Sequence, residues 1–175
     1  VHEFSEATIA SIYSAVKGIG CTVFAVALAA TLRRETGQGV VVVDLGGAST
    51  GRMWLHGSDS SQPPRRAPIG LASEEQLESV LTSHAGGFHV LAAGDLLVDE
   101  RGEQAIAPLL TALINRFPYV LIDLPAEVSP AVVKALAQSD VIYLLADTDK
   151  AHVVRTNVLL HQVRIQPEPA QPPDS

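Results

Sequence analysis

Two short segments built almost entirely from large apolar residues constrain the fold of this chain most. Val40–Leu45 reads VVVVDL and Tyr119–Leu124 reads YVLIDL, so neither segment alternates apolar with polar residues. Strands of this kind are buried on both faces, which is typical of parallel sheets covered by helices on either side. Each segment carries an aspartate near its carboxyl end, Asp44 in the first and Asp123 in the second. These carboxyl ends are where ligands bind in such sheets.

The rest of the chain alternates further predicted strands with predicted helices. The other strands are predicted over Thr8–Ser14, Phe88–Ala93 and Val141–Ala146. The helices are predicted over Thr22–Glu35, Ser73–Ser83, Glu103–Phe117, Ser129–Gln138 and Ala151–Val163. This alternation predicts an α/β fold with a doubly wound, mostly parallel sheet of about five strands flanked by helices.

Composition predicts one globular domain followed by a short tail. The chain has 175 residues, of which 47% are hydrophobic and 18% charged, so it can bury a substantial core. We predict a single domain over residues 1–165 and a disordered tail or linker over residues 166–175, which read QPEPAQPPDS. Gly46–Gly70 is rich in glycine, serine, proline and arginine, and we interpret it as a long loop.

Charge and cysteine content restrict the partners and the compartment that we expect. The net charge of −7 argues against a nucleic-acid surface that depends on bulk positive charge. No apolar run reaches the roughly 18–20 residues of a membrane span, and we find no signal peptide. The single cysteine, Cys21, permits no internal disulfide, which fits a reducing compartment. We therefore expect a cytoplasmic protein with no nucleic-acid partner and no membrane segment in this chain.

A glycine-containing turn, Ala15–Gly20, separates the first predicted strand from the first predicted helix. Unpaired backbone N–H groups and the helix dipole make the helix N-terminus after such a turn an anion site, so we interpret the turn as a phosphate-binding loop. A full loop of this kind reads G-x-x-x-x-G-K-[ST]. Aligned on Gly20 and Thr22, this chain has alanine in place of the first glycine and Cys21 in place of the lysine. The alternative is a plain strand-to-helix turn.

Together these segments resemble the MinD/ParA family of P-loop ATPases over about residues 8–164. The deviant loop of that family is similar to G-K-G-G-x-G-K-[ST], and here Gly18–Gly20 and Thr22 match it. The Walker B segment of the family resembles F-D-x-h-h-h-D-x-P-A/P, where h is apolar, and Phe117–Ala126 reads FPYVLIDLPA. Ser139–Asp149, which reads SDVIYLLADTD, is similar to the segment that follows in the family.

The resemblance implies a P-loop NTPase-like three-layer sandwich in which the strands lie in the order third, second, fourth, first, fifth. It also implies further strands beyond this sequence, so we expect the domain to be truncated at its C-terminus. A basic amphipathic helix of the kind that attaches MinD to membranes is not found at the end of this sequence.

The resemblance further implies a site for ATP or ADP with Mg²⁺. The backbone of Gly18–Cys21 would surround the phosphates, and Thr22 would bind Mg²⁺ through its hydroxyl. Asp123 would hold the ion through a water molecule, with Asp44 beside it. The candidate cofactor-binding residues are therefore Lys17, Gly18, Ile19, Gly20, Cys21 and Thr22, and the candidate metal ligands are Thr22, Asp44 and Asp123. The alternative interpretation of Asp44 and Asp123 is that they only cap a helix or end a strand.

Three departures from the family pattern predict little or no hydrolysis. The signature lysine of the family falls at Val16, although Lys17 lies one place away. The second lysine of the loop is replaced by Cys21, whose neutral thiol supplies neither a charge nor a strong donor. A second aspartate after the second strand is replaced by Gly46. Because phosphoryl transfer relies on positioning and cationic stabilisation, we expect low nucleotide affinity or none, with Lys17 the candidate catalytic cation.

This degenerate loop is similar to that of the CpaE/TadZ type, bacterial proteins that help to place pilus-assembly machinery at a cell pole. The similarity implies a regulatory, localisation or scaffold module, a pseudo-ATPase that works through a protein partner or as a homodimer. One alternative is an atypical but active ATPase in which Lys17 or a partner supplies the charge. Another is a Rossmann-type oxidoreductase that binds a dinucleotide, because Gly18-x-Gly20 followed by Asp44 mimics that fingerprint.

Overall fold

The computed structural model describes residues 7–46, 55, 74–97 and 102–164. The strands of the sheet are β1 (Thr8–Tyr13), β2 (Val40–Asp44), β3 (Leu81–Ser83), β4 (His89–Ala92), β5 (Tyr119–Asp123) and β6 (Val141–Leu144). The helices are α1 (Cys21–Thr36), α2 (Glu74–Val80), α3 (Gly102–Ile114), α4 (Pro130–Ala137) and α5 (Lys150–Arg164). A short 3₁₀ helix, Gly94–Leu97, precedes α3.

The six strands lie side by side in the order β3-β4-β2-β5-β1-β6. All neighbours are parallel except β3, which is antiparallel to β4. The doubly wound parallel sheet is thus confirmed, and its five parallel strands follow the order that the MinD/ParA resemblance implies. A Rossmann sheet instead places its first and second strands next to each other. Here β5 separates β1 from β2, so the topology does not match the Rossmann-type alternative.

The sheet has one strand more than the five that we predict, and this additional strand is β3. The sequence analysis predicts a single helix over Ser73–Ser83 instead. The helix ends at Val80, and the next three residues pair with β4 as an edge strand. A tight turn joins the two strands, with a hydrogen bond from the backbone N–H of His84 to the carbonyl of Phe88 at 2.8 Å. Gly87 lies in this turn at φ +81°, a conformation that favours glycine.

Each face of the sheet carries its own apolar core, as expected for strands without polar alternation. Alternate residues of the central strands point to opposite faces. One core contains the inward residues of α3 and α4, and it includes Val41, Val43 and Ile122 from the sheet. The other core lies beneath α1 and includes Val42 and Leu121. The helices therefore cover both faces, which gives the three layers that the resemblance implies.

The carboxyl ends of β1, β5 and β2 lie level with one another. The backbone N–H of Leu124, just after β5, donates to the carbonyl of Ile12 in β1 at 3.1 Å. The N–H of Leu45, just after β2, donates to the carbonyl of Asp123 at 3.0 Å. This register places the glycine turn after β1 beside Asp123 of β5, with Asp44 of β2 one strand further away.

Several segments that we interpreted from the sequence lie wholly or mostly outside the described residues. These are the tail over residues 166–175, Ser73, and most of Gly46–Gly70. Within the last segment Leu55 is helical and buried in the core beneath α1, so the loop interpretation does not hold at that residue. The single domain over residues 1–165 stays a prediction.

The N-terminus of α4 offers a test of the local packing. Ser129 is its N-cap, and the hydroxyl oxygen accepts a hydrogen bond from the backbone N–H of Val132 at 3.2 Å. We expect Ser129→Ala to lower the free energy of unfolding by about 1 kcal/mol, because that N–H loses its partner. Denaturant unfolding followed by circular dichroism measures the change. Ser129→Asp keeps an acceptor and should stay close to the unsubstituted protein, so equal losses in the two variants would contradict the capping role.

Candidate functional site

The turn between β1 and α1 has the conformation of an anion-binding loop. Gly18 and Gly20 lie at φ +83° and +104°, so both need the freedom of glycine. The hydroxyl oxygen of Ser14 accepts a hydrogen bond from the backbone N–H of Val16 at 3.1 Å, which tightens the start of the turn. Gly20 is the N-cap of α1 and supplies no side-chain cap, so the first N–H groups of this 16-residue helix remain available to a ligand.

A cavity of about 500 Å³ lies against this loop. Its walls are formed by Ser14, by residues 16–23 in the loop and the start of α1, by residues 123–127 at the end of β5 and directly after it, and by Gly46 after β2. The volume is in the range of small-ligand and cofactor sites. All six candidate cofactor-binding residues, Lys17 to Thr22, line this cavity.

Two of the three candidate metal ligands, Thr22 and Asp123, line the cavity at the base of the loop, whereas Asp44 is not among the residues that line it and lies on the strand next to Asp123. The hydroxyl of Thr22 donates a hydrogen bond to Oδ2 of Asp123 at 2.6 Å. Asp44 and Asp123 are register partners on adjacent strands, and both side chains are buried. A Cβ atom on Gly46 would lie 3.5 Å from Oδ1 of Asp44, so that carboxylate extends toward the cavity wall.

This donor set fits Mg²⁺ more closely than it fits a transition metal. Mg²⁺ is usually held by one or two carboxylates together with water and the phosphates of a substrate. A hydroxyl and two carboxylates match that pattern. Among the described residues, no group of three or more histidine, cysteine, aspartate or glutamate side chains could hold a metal by itself.

The buried carboxyl of Asp123 resists ionisation. Burial raises its pKa from 3.8 to about 6, while the hydrogen bond from Thr22 opposes this shift and the negative charge of Asp44 adds to it. Near neutral pH the group is mostly ionised, at a cost in folding free energy. A cation bound beside it would offset that cost.

Cys21 brings no positive charge to the loop. It is the first residue of α1, and burial, together with the nearby charge of Asp123, raises the pKa of its thiol to about 11. A helix N-terminus usually lowers a thiol pKa, but here burial and the nearby carboxylate outweigh it. The thiol therefore stays protonated at neutral pH and does not behave as a reactive thiolate.

Sequence reasoning missed one charged residue of the cavity, Glu127. Its carboxylate forms an ion pair with the ammonium of Lys17, and both side chains are largely exposed. The hydrogen bond from Lys17 lowers the pKa of Glu127 below its usual value. The only signal in the sequence was its position, directly after the DLPA segment that ends at Ala126. Tyr13 supports the same segment, because its hydroxyl donates to the carbonyl of Ala126 at 3.1 Å.

Comparison with protein families gives a match over nearly the whole chain. The family model described as cellulose biosynthesis protein BcsQ matches residues 9–168. Among curated proteins, none shows significant sequence similarity to the chain. Within the part of the chain that the structure describes, no helix has the length and hydropathy needed to cross a membrane.

Solved structures with the same fold include ParA and MinD proteins. A ParA family ATPase from Chlorobium tepidum aligns with a TM-score of 0.75 and 16% identity, covering 94% of this chain and 70% of the ATPase. Cobyrinic acid a,c-diamide synthase from Mycobacterium smegmatis, solved with bound ADP and magnesium, aligns with a TM-score of 0.67 and 20% identity, covering 89% and 69%. The MinC:MinD cell division protein complex from Aquifex aeolicus aligns with a TM-score of 0.69 and 17% identity, covering 90% and 64%.

The buried carboxyl of Asp123 predicts a pH-dependent gain in stability for Asp123→Asn in buffer without divalent cations. The folded-state pKa of about 6 exceeds the ordinary value of 3.8, so the ionised group destabilises the folded chain above pH 6. Below pH 3.8 the group is protonated in both states and the cost vanishes. We expect the variant to be more stable by on the order of 2–3 kcal/mol at pH 8, with the advantage shrinking toward pH 4.

Thermal unfolding measured at several pH values between 4 and 8 checks this prediction. The amide oxygen of the variant can still accept the hydrogen bond from Thr22, so packing is largely preserved. Asp140→Asn is the control, because the Asp140 carboxylate is exposed and accepts a hydrogen bond from the backbone N–H of Ile9 at 2.8 Å. The Asp140→Asn variant should be no more stable than the unsubstituted protein at pH 8. An Asp123→Asn advantage that is constant across this range would contradict the assignment of the cost to the buried charge.

Proposed function

The chain belongs to the family of the cellulose biosynthesis protein BcsQ, and on that premise we propose that it is a regulatory module that binds ATP or ADP with Mg²⁺ weakly and hydrolyses little or none. The observation that carries this proposal is a turn at the N-terminus of α1 with Gly18 and Gly20 at positive φ, in which the position of the loop lysine holds a protonated thiol, Cys21. The loop supports binding, and the missing charge argues against efficient turnover.

The bound nucleotide would lie in the cavity beside the loop. The backbone N–H groups from Gly18 to Cys21 would receive the phosphates at the positive end of α1. Thr22 would exchange its hydrogen bond with Asp123 for a bond to Mg²⁺, and Asp123 and Asp44 would hold the ion from the side of the sheet. The metal would supply the charge neutralisation that the loop itself lacks.

Two positions account for the low hydrolysis in this proposal. At Cys21 no ammonium is available to stabilise charge that develops on the transferred phosphoryl group. At Gly46, where the family resemblance places a second aspartate, no carboxylate is available to orient a water molecule. Because catalysis of phosphoryl transfer is mostly positioning and electrostatics, both losses lower the rate, and the missing ammonium at Cys21 also weakens nucleotide binding.

The biological role that we propose is a localisation or scaffold function in cellulose biosynthesis, comparable to the CpaE/TadZ type. Nucleotide occupancy would control contact with a protein partner or with a second copy of the chain. The MinC:MinD complex is an example of a structural neighbour with a protein partner. The net charge of −7 gives no reason to add nucleic acid to these partners. A cytoplasmic location is part of the proposal, because ATP and a free thiol both belong to that compartment.

An atypical active ATPase is the second candidate, and one observation favours it. Lys17 lines the cavity, so the loop itself supplies a cation, although this lysine is one place from the signature position. In that case Lys17 would contact the phosphates, and the cysteine would be a neutral replacement at a position that no longer needs charge.

Cys21→Lys separates the two candidates. In a module that has lost its lysine, the new ammonium makes charge-assisted hydrogen bonds to the phosphates. We then expect ATP affinity to rise by about ten- to a hundredfold, with phosphate release becoming measurable. Titration with a fluorescent ATP analogue and a phosphate-release assay give the two quantities.

Cys21→Ala is the matched control, because it changes the same position without adding a charge, and neither quantity should rise in it. Thermal unfolding of both variants checks that the loop region remains folded. If Cys21→Lys leaves affinity and turnover unchanged or lowers them in a folded protein, the loop already functions without the second lysine. That result would favour the atypical ATPase.

A further inference from the structure

The Lys17–Glu127 ion pair joins the two walls of the phosphate cavity. Lys17 belongs to the loop between β1 and α1, whereas Glu127 belongs to the segment after β5. Both residues line the cavity, so their contact lies at its rim. Tyr13 ties the segment after β5 to the sheet through the carbonyl of Ala126, the residue before Glu127. The carboxylate is therefore held on a supported segment opposite the loop.

Charge in the cavity is unevenly distributed. Among the described residues that line it, Lys17 carries the only positive charge, while Asp123 and Glu127 are acidic. A nucleotide brings several negative charges into the same space. The ammonium of Lys17 is therefore the side-chain group that a phosphate would attract most strongly, and Glu127 already engages it.

We propose that Glu127 is a latch that competes with the phosphates of an entering nucleotide for the ammonium of Lys17. In the structure, the Lys17 ammonium is in contact with the Glu127 carboxylate. Nucleotide binding would require Lys17 to leave the carboxylate and turn to the phosphates, and the segment after β5 would then be released from the loop. This inference rests on the proposed function, because it assumes that the cavity receives a nucleotide.

The expected size of the effect follows from the exposure of the pair. The side chains of Lys17 and Glu127 are 77% and 61% exposed, so solvent screens their attraction. Exposed ion pairs of this kind contribute little, which corresponds to a change in a binding constant of about two- to fivefold. Glu127 thus adjusts affinity without abolishing binding, as expected for a reversible contact.

A double-mutant cycle tests the latch directly. Glu127→Gln should tighten binding of ATP with Mg²⁺ by about two- to fivefold, because Lys17 becomes available without competition. Lys17→Gln should weaken binding, because the phosphates lose a cation. In Lys17→Gln/Glu127→Gln the gain from the glutamate substitution should disappear, because there is no ammonium left to release. Calorimetric titration of the four proteins gives the affinities.

The double variant distinguishes a latch from general repulsion. Removing any carboxylate near the cavity could favour a polyanion through long-range electrostatics alone. If Glu127→Gln tightens binding equally with and without Lys17, the effect is repulsion and the latch is wrong. Glu35→Gln is the control for net charge, because it neutralises an exposed glutamate that pairs with Arg34 at the far end of α1. It should leave the affinity unchanged.

Two further outcomes separate failure of the latch from failure of the proposed function. If the unsubstituted protein binds nucleotide but Glu127→Gln binds equally or less tightly, the latch is overturned and the nucleotide site remains. If none of the four proteins binds nucleotide, both inferences fail together.

Carbon-detected NMR titration of the Glu127 carboxyl checks the Lys17–Glu127 ion pair without nucleotide. Its pKa should be low in the unsubstituted protein and return toward the usual range in Lys17→Gln, and a pKa that does not change would also overturn the latch.

Discussion

The candidate site depends on the insertion of β5 between β1 and β2. This pairing brings the carboxyl ends of the three strands to one level, so Asp123 of β5 lies beside the glycine turn after β1, and Asp44 of β2 lies on the far side of Asp123. The hydrogen bond from Thr22 to Asp123 then connects the start of α1 to the centre of the sheet at 2.6 Å. If β1 and β2 were neighbours, β5 would not lie between them, and Asp123 would not be placed between the loop and Asp44. The topology therefore places these groups together before any ligand arrives.

Electrostatics at this edge of the sheet are unfavourable without a cation. Asp44 and Asp123 are buried register partners on adjacent strands, and burial, with the negative charge of Asp44 adding to it, raises the pKa of Asp123 to about 6. The loop lysine that would balance them is replaced by a thiol that stays protonated. The remaining lysine, Lys17, is engaged by Glu127 at the rim. A divalent ion that arrives with a nucleotide would offset the carboxylates, which is why Mg²⁺ has so large a part in the proposed binding mode.

Much of this arrangement can be read from the sequence, because strands buried on both faces leave a strong apolar signal. VVVVDL and YVLIDL predict central strands, and they also locate Asp44 and Asp123. The strand order came from family resemblance and not from periodicity. The edge strand β3 was missed, because three residues, two half-buried and one exposed, carry little pattern and follow a helix without a break. Glu127 was missed for a different reason: an exposed ion pair between segments 110 positions apart depends on the tertiary fold, and no local pattern encodes it.

The central claim is that a phosphate loop without its lysine still binds a nucleotide and does not turn it over efficiently. Calorimetric titration of the unsubstituted protein with ATP, in the presence and absence of Mg²⁺ and with ADP in parallel, tests this claim most directly. The account predicts Mg²⁺-dependent binding with a dissociation constant on the order of 1 mM or somewhat below, and no sustained phosphate release in the same sample. Absence of binding by either nucleotide at millimolar concentration, or steady turnover of ATP, would contradict it.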